Sequence, residues 1–256
     1  MKVLIYIIRV VIENIMQITY TILVFVLTIL AGYLLGSIPT AKIIGRLHGV
    51  DITKEGSKNA GGTNVGRVIG KKAGFLTMFL DGAKCFIPCL IVALILTFAP
   101  IDLVSFPYRN EIVIACCSLS VALGHSYPLY SHFKGGKCVA CFAGYVLFVS
   151  PILFVLGAST FTLVFFWKKR VSLASLLGAP TVLLLSLVPA ILDLTVLKDP
   201  TSYNGGMFFA SNFMLHLSFV TTITLFLLAA FIAIRHRSNI KRLAEKTEPE
   251  THFKKD

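Results

Sequence analysis

The chain has 256 residues, 56% of them hydrophobic and only 14% charged, with a mean hydropathy of +0.82 and a net charge of +12. A soluble domain of this size would carry roughly 25% charged residues, and the alternating strands of about 10 residues that mark an outer-membrane barrel are absent. What remains is an all-α integral membrane protein, whose basic balance belongs to cytoplasmic loops and anionic lipid headgroups rather than to nucleic acid.

In chain order, residues 1 to 18 are apolar but interrupted by Arg9, Glu13 and Gln17. They read as an interfacial helix or as an extension of the first span. A cleaved signal peptide is not expected, because no small-residue cleavage site precedes Tyr20. Apolar runs long enough for a hydrocarbon core of roughly 30 Å begin there. The expected spans are Tyr20 to Ile38, Gly74 to Phe98, Glu111 to Tyr127, a short Val139 to Ser150, Pro151 to Trp167, Val171 to Val196, and Asn212 to Ile234. The division at Pro151 rests on proline lacking an N–H and clashing with the preceding turn. Leu197 to Ser211, with Asn204-Gly205-Gly206, reads as an outer loop.

The charges test that division. Of the 24 Lys and Arg residues, 19 lie in the first, third and fifth connections and in the C-terminal tail. With seven transmembrane helices all of these fall on one face, and with six they would mix. Lys and Arg concentrate in cytoplasmic loops, so the expected topology has the N-terminus outside and the C-terminus cytoplasmic. Residues 1–18 form the N-terminal extension or interfacial helix, 19–248 the membrane domain, and 249–256 a cytoplasmic tail. Cys85, Cys89, Cys116, Cys117, Cys138 and Cys141 lie mostly in or beside the spans, where cysteine behaves as a small hydrophobe and implies no disulfide framework.

Three polar clusters share the cytoplasmic face. The first, GSKNAGGTNVGR from Gly56 to Arg67, offers glycines whose amides can approach an anion closely. Ser57, Thr63 and Asn64 add donors, and Arg67 can grip a phosphate through two N–H groups. A flexible basic loop on lipid headgroups is an equal reading of its composition. The second is LGHSYPLYSHFKGGKCVA, from Leu123 to Ala140, in which Lys134-Gly135-Gly136-Lys137 stands directly before a helix start and so offers free amides and positive charge. It lacks the spacing and preceding strand of a Walker A loop, and lysines on a short cytoplasmic turn are the plain alternative. His125 beside it fits a substrate contact or an interface histidine. The third is IRHRSNIKRLAEKTE, where His236 and Asn239 share one face if the helix persists. Asp81 and Lys84, three apart within the second span, form a costly intramembrane pair, functional or structural.

Taken in order, GSIP (36–39), GVDI (49–52), the first cluster, GKKAG (70–74), LDGAK (80–84), GHSYP (124–128), FKGGK (133–137) and RHRSNIKRL (235–243) resemble the bacterial acyl-phosphate:glycerol-3-phosphate acyltransferases, the PlsY family. The resemblance runs from Gly36 to Glu248 and implies a seven-span enzyme of the bacterial cytoplasmic (inner) membrane. That enzyme moves a fatty acyl group from acyl phosphate to the 1-hydroxyl of glycerol 3-phosphate, releasing lysophosphatidate and phosphate, as the first acylation of phospholipid synthesis. It implies no metal, no cofactor, no acyl-CoA and no covalent enzyme intermediate. Membrane lipids surround it, and association with the enzyme that makes acyl phosphate fits the same picture.

By motif position the resemblance implies Ser57, Arg67, Lys137, His236 and Asn239 as catalytic residues. Asn59, Thr63, Asn64, Lys134, Gly135, Gly136 and His125 would bind substrate, and Asp81, Lys84 and Glu248 would be structural. His236 would orient the substrate or manage the hydroxyl proton, with a substrate phosphate as an alternative base. The chain departs from the family pattern at Gly62 (usually alanine), Cys138 (usually a third glycine) and Cys141 (usually threonine). A side chain at Cys138 is expected to crowd the phosphate approach or to require another backbone conformation. An organic-phosphate transporter would also need cationic helix ends, but it predicts ionisable residues deep in several spans and internal repeats. An inactive membrane scaffold is the other alternative, for which Cys138 is the argument.

Overall fold

The computed structural model describes residues 1–98, 103–104, 106–192 and 218–255, and among them the regular structure is all helical. The helices are α1 (Lys2–Gly36), α2 (Thr40–Leu47), α3 (Gly62–Val68), α4 (Lys71–Phe98), α5 (Arg109–Ser126), α6 (Val139–Val149), α7 (Pro151–Lys168), α8 (Val171–Leu192), α9 (Phe219–Arg235) and α10 (Arg237–Ala244). The expected outer loop around Asn204 lies outside the described residues, as do the end of the sixth expected span and the start of the seventh.

Among the described residues five stretches are long and apolar enough to cross a membrane: α1 with α2, then α4, α5, α7 and α8. A sixth is formed if α9 and α10, bent by 63° at His236, count as one. The protein is thus a multi-pass helical membrane protein. The short fourth span is a separate helix of 11 residues, about 16 Å long and roughly half a hydrocarbon core. The chain does break at Pro151. Ser150 is extended (φ −160°, ψ 106°), its Oγ accepts from Leu153 N at 3.3 Å, and Pro151 takes the first helical position, where its missing N–H costs nothing.

Residues 2–18 are continuous with the first span: α1 is one helix of 35 residues, about 52 Å long. Its N-terminal half is exposed, with Val3, Leu4, Ile7, Val11 and Ile15 pointing outward. The C-terminal half packs on α5 at backbone distance, because Gly32, Gly36 and Gly124 leave no side chain between them. A Cβ on Gly32 would stand 2.9 Å from the Cys117 carbonyl.

The main core draws Cys85 and Cys89 from α4, Cys117 and Val121 from α5, Cys138, Cys141 and Tyr145 from the start of α6, and Leu225, Leu228 and Ile232 from α9. All six cysteines are free thiols, five of them buried. A second cluster (Ala41, Ile44, Ile52, Val65 and Ala73) seats α2 and α3 on the N-terminal end of α4. The helix ends that carry the basic connections meet at one end of the bundle. Lys84 Nζ donates to Ile38 O at 3.1 Å, Arg235 reaches Gly136 O, and Thr251 N donates to Lys169 O at 2.6 Å.

Candidate functional site

Asn64, fully buried on α3, organises the first cluster. Its Oδ1 accepts from Ser57 N at 2.8 Å and Ser57 Oγ at 3.1 Å, while its Nδ2 donates to Ile52 O and Glu55 O at 2.9 and 3.0 Å. The amide that looked like a phosphate donor is therefore spent on the loop, and Asn64 sets where exposed Ser57 stands. Gly56 makes that possible. Its φ is +57° and a Cβ would collide with Asn64 Oδ1, so no other residue fits without strain. Gly62 has a packing reason as well: an alanine Cβ there would lie 2.8 Å from Gly74 O and 3.0 Å from Met78 N. In this chain α3 lies closer to α4 than an alanine would allow.

A single carboxylate ties the second and third clusters together. Glu248 Oε1 accepts from Ser172 Oγ at 2.6 Å and from Asn239 Nδ2 at 2.7 Å, and Oε2 accepts from Arg242 Nε at 2.7 Å. With its amide so fixed, Asn239 turns Oδ1 outward to accept from Lys137 Nζ at 2.7 Å. Arg235 donates to Gly135 O at 3.4 Å and to Gly136 O at 3.1 Å and stacks over Tyr127 at 4.8 Å, which closes the glycine loop onto the end of α9. Arg67 completes the group. Its Nη2 donates to Thr251 Oγ1 at 2.7 Å, and its charge is felt at Lys137 together with those of Arg235 and Arg242. Arg67, Arg235 and Arg242 thus gather about Lys137, and Glu248 pairs with Arg242 while its charge acts on Arg67 and Lys137.

That excess of positive charge shows in the titration of its members. Burial pushes Lys137 down to about 8; Arg242, Arg67 and Arg235 push the same way, and Glu248 opposes them. Burial also pushes His236 down to about 4, with Lys137 and Arg235 adding to it against the Ile232 bond and Glu248. His236 is therefore neutral near pH 7. Its Nδ1 lies 2.8 Å from Ile232 O. A carbonyl only accepts, so Nδ1 carries the proton and Nε2 is left as the acceptor.

The helix does not run straight through His236 and Asn239, as their spacing assumed. It bends at His236, which ends α9 and begins α10, and both side chains are buried beside Lys137 and Glu248. His125, Asp81, Lys84 and Lys134 line a neighbouring small cavity with Gly135 and Gly136. Lys84 Nζ stands 2.9 Å and His125 Nδ1 3.6 Å from Asp81 Oδ1. His125 O accepts from Gly136 N at 3.1 Å, and its ring fills the space a Gly136 side chain would need. This buried triad braces the glycine loop from below. Asn59 and Thr63 are half-buried at the start of α3.

Cys138 sits at φ +69°, ψ 1°, as the cap of α6, and is fully buried in the main core. Here the usual glycine of the family would be at ease, and the cysteine adopts the left-handed backbone at a cost of about 1–2 kcal/mol. Being buried, its thiol does not stand in the approach to Lys137. Cys141, one turn on, donates to Asp81 O at 3.2 Å, a bond the usual threonine hydroxyl could also make. Cys138→Gly is expected to leave kcat/KM within about threefold of wild type. Relief of left-handed strain roughly offsets the lost packing of the thiol, so the stability change stays within about 1 kcal/mol. Steady-state kinetics and thermal melts check both.

Arg235, Arg242, Ser172 and Thr251 are the working residues that sequence reasoning passed over. Arg235 and Arg242 lay inside the third motif but read as ordinary tail charge. Ser172 and Thr251 carry no pattern at all, since only the fold brings residues 172 and 251 to α10 and α3.

The fold and site define a helical membrane protein with a cation-rich cluster of side chains at one end of its bundle, suited to phosphorylated ligands. A protein-family model described as "Glycerol-3-phosphate acyltransferase" matches residues 26–246. The chain is 36% identical over 219 residues to a glycerol-3-phosphate acyltransferase of Desulfotalea psychrophila, covering 86% of this chain and 94% of that one. It is 35% identical over 230 residues to one of Bacillus cytotoxicus, covering 90% and 96%. It is also similar to the crystal structure of PlsY (YgiH), an integral membrane glycerol 3-phosphate acyltransferase, in its glycerol 3-phosphate form. There the TM-score is 0.69, with 31% identity over 89% of this chain and 96% of that one. The lysophosphatidic acid form of the same enzyme gives 0.68 and 32%, over 88% and 94%. The chain belongs to the glycerol-3-phosphate acyltransferase family.

Proposed function

We propose that this member of the family transfers a fatty acyl group from acyl phosphate to the 1-hydroxyl of glycerol 3-phosphate at the cytoplasmic face of the bacterial inner membrane. The observation that carries this reading is the gathering of Arg67, Arg235 and Arg242 about Lys137, with Glu248 paired to Arg242. Two phosphate-bearing reactants supply the missing negative charge. The topology that goes with it has seven spans, with α6 as the short fourth, the N-terminus outside and the basic end of the bundle in the cytoplasm.

Lys137 and Arg67 hold phosphate groups, and Ser57, whose place Asn64 sets, works with them. Neutral His236 presents Nε2 to the attacking hydroxyl. With its pKa near 4 it is a weak proton acceptor, so it orients the hydroxyl, and a phosphate oxygen takes the proton. The hydroxyl oxygen forms the ester bond as the acyl carbon–phosphate oxygen bond breaks, and phosphate leaves toward Lys137. Fixed cations then stabilise the charge that develops, and holding both reactants in line removes much of the entropic barrier. Asn59, Thr63, Lys134, Gly135 and Gly136 line the approach.

Purified protein given acyl phosphate and glycerol 3-phosphate is expected to release lysophosphatidate and inorganic phosphate, and to give no product with acyl-CoA. Absence of product, with phosphate passing across sealed vesicles instead, would overturn the reading in favour of a transporter. A pH series tests Lys137 within it. The ammonium that grips phosphate persists below a pH of about 8 and is lost above it. Because kcat/KM reports the free enzyme, it should be level below that point and fall about tenfold per pH unit above it. Lys137→Arg keeps its charge and should flatten the alkaline limb. A limb that persists in that variant would assign it to another group.

A further inference from the structure

We infer that Thr251 is a positioning residue for Arg67, held in place by a strap made of the tail beyond α10; this rests on the reading of Arg67 as a phosphate ligand. Arg67 projects from α3, a helix of seven residues with little of its own to fix so long a side chain. Its Nη2 donates to Thr251 Oγ1 at 2.7 Å, and Thr251 is 4% exposed.

The strap that carries this hydroxyl is tied down on both sides. Upstream, Glu248 is bound to Ser172, Asn239 and Arg242. At the residue itself, Thr251 N donates to Lys169 O at 2.6 Å in the turn between α7 and α8. Downstream, Lys254 N donates to Gly66 O at 3.1 Å. Phe253 lies against Phe165 at 6.1 Å between ring centroids, and it lies so close to Gly66 that a Cβ there would stand 2.7 Å from the ring. The tail therefore bridges α3, α7 and α10, and α3 and α10 carry Arg67 and Asn239. Residues 247–255 follow the stretch that the family model matches.

The chemistry of the contact separates positioning from inhibition. An inhibitory tail would place a carboxylate on the guanidinium and compete with phosphate. Here Glu248 pairs with Arg242, Glu250 lies 3.4 Å from His252, and Arg67 receives a neutral hydroxyl. Arginine presents five N–H donors in a rigid fork. One bond from Nη2 leaves a bidentate edge for phosphate while fixing the plane of that edge. Arginine also has much rotamer freedom to lose when it binds, and Thr251 removes that freedom before substrate arrives.

The test uses the full-length purified protein and three variants: Thr251→Val, Thr251→Ser and Phe253→Ala. Thr251→Val keeps the branched shape and the backbone bond to Lys169. It should lower kcat/KM by about tenfold, the size of one preorganising hydrogen bond, with a ligand-free melting temperature close to wild type. Thr251→Ser restores the hydroxyl and should recover most of the loss. Phe253→Ala leaves the hydroxyl but loosens its seat, and should fall toward the valine variant. A valine variant equal to wild type, or a serine variant as impaired as the valine one, overturns the inference. If the valine variant does not fold, Phe253→Ala decides, and unchanged kcat/KM there overturns it. A wild-type protein that makes no lysophosphatidate sinks the acyl-transfer reading by itself. In that event calorimetric binding of glycerol 3-phosphate still decides for Thr251: weaker binding in the valine variant supports its role, and equal binding overturns it.

Discussion

Arg67→Ala is expected to reduce acyl transfer by about a thousandfold, the loss typical of removing a charge that stabilises a transition state in a site closed to water. The protein should stay folded. The substitution removes the bond to Thr251, worth about 1 kcal/mol, but it also removes one of the three arginines gathered about Lys137. Lys137 is lowered by burial first and then by those arginines, so the relief of repulsion works against the lost bond and the melting temperature should move little. A site residue whose removal leaves stability unchanged while activity collapses is one kept for chemistry. Rates with acyl phosphate and glycerol 3-phosphate, set beside a thermal melt, make the comparison. Full activity in the variant would remove Arg67 from the site, and so would a loss that merely tracks unfolding. Arg67→Lys should recover only part of the rate, since a lysine cannot present a planar bidentate edge.

The sequence showed most of this arrangement wherever a local rule governs it. Membrane helices are legible because a bilayer demands long apolar runs, and the break at Pro151 because proline cannot continue a helix. The gathering of GSKNAGGTNVGR, FKGGK and RHRSNIKRL on one face followed from where the positive charges fall. What was not legible depends on contacts distant in sequence. Asn64 looked like a ligand because an amide between glycines can donate to phosphate. That it instead holds the loop through Ile52 and Glu55 depends on α3 packing beneath them. His236 and Asn239 were expected to share one face if the helix persisted, and the 63° bend at His236 that buries both beside Lys137 and Glu248 leaves no mark in their spacing. Cys138 looked like an obstruction because a glycine is expected there. The actual consequence is a left-handed backbone with the thiol turned into the core. Thr251 contacts Arg67 across 184 residues, and no periodicity encodes that.

Glu248→Gln should be the most damaging change for stability and nearly as damaging as Arg67→Ala for activity. Burial works against the carboxylate, yet the bonds from Ser172, Asn239 and Arg242 outweigh it and hold Glu248 below the usual carboxylate range. A group so lowered gives its stability above its unfolded pKa and loses it as pH falls through the folded one, so at pH 7 the whole contribution is present. Bonds to a charged acceptor are worth about 1.5–3 kcal/mol each, but Arg242 is 40% exposed and its share is screened. A net loss of about 2–4 kcal/mol is expected. The catalytic loss comes from the lost charge, and in one orientation through Asn239 as well. A glutamine amide keeps one acceptor oxygen where the carboxylate had two. With that oxygen at the Oε1 position, Asn239 and Ser172 keep their acceptor and Arg242 faces an NH2. With it at the other position, Asn239 meets a second donor and must turn its own NH2 toward the Lys137 ammonium, whose bond to Oδ1 is then lost. In both cases Arg242, Lys137 and Arg67 lose the negative charge of Glu248, so kcat/KM should fall about a hundredfold or more. Substrate phosphate then supplies the negative charge that Glu248 gave. Glycerol 3-phosphate should therefore raise the melting temperature of Glu248→Gln by more than it raises that of the wild type, and an equal or smaller rise would show that Glu248 is not what balances the cationic site.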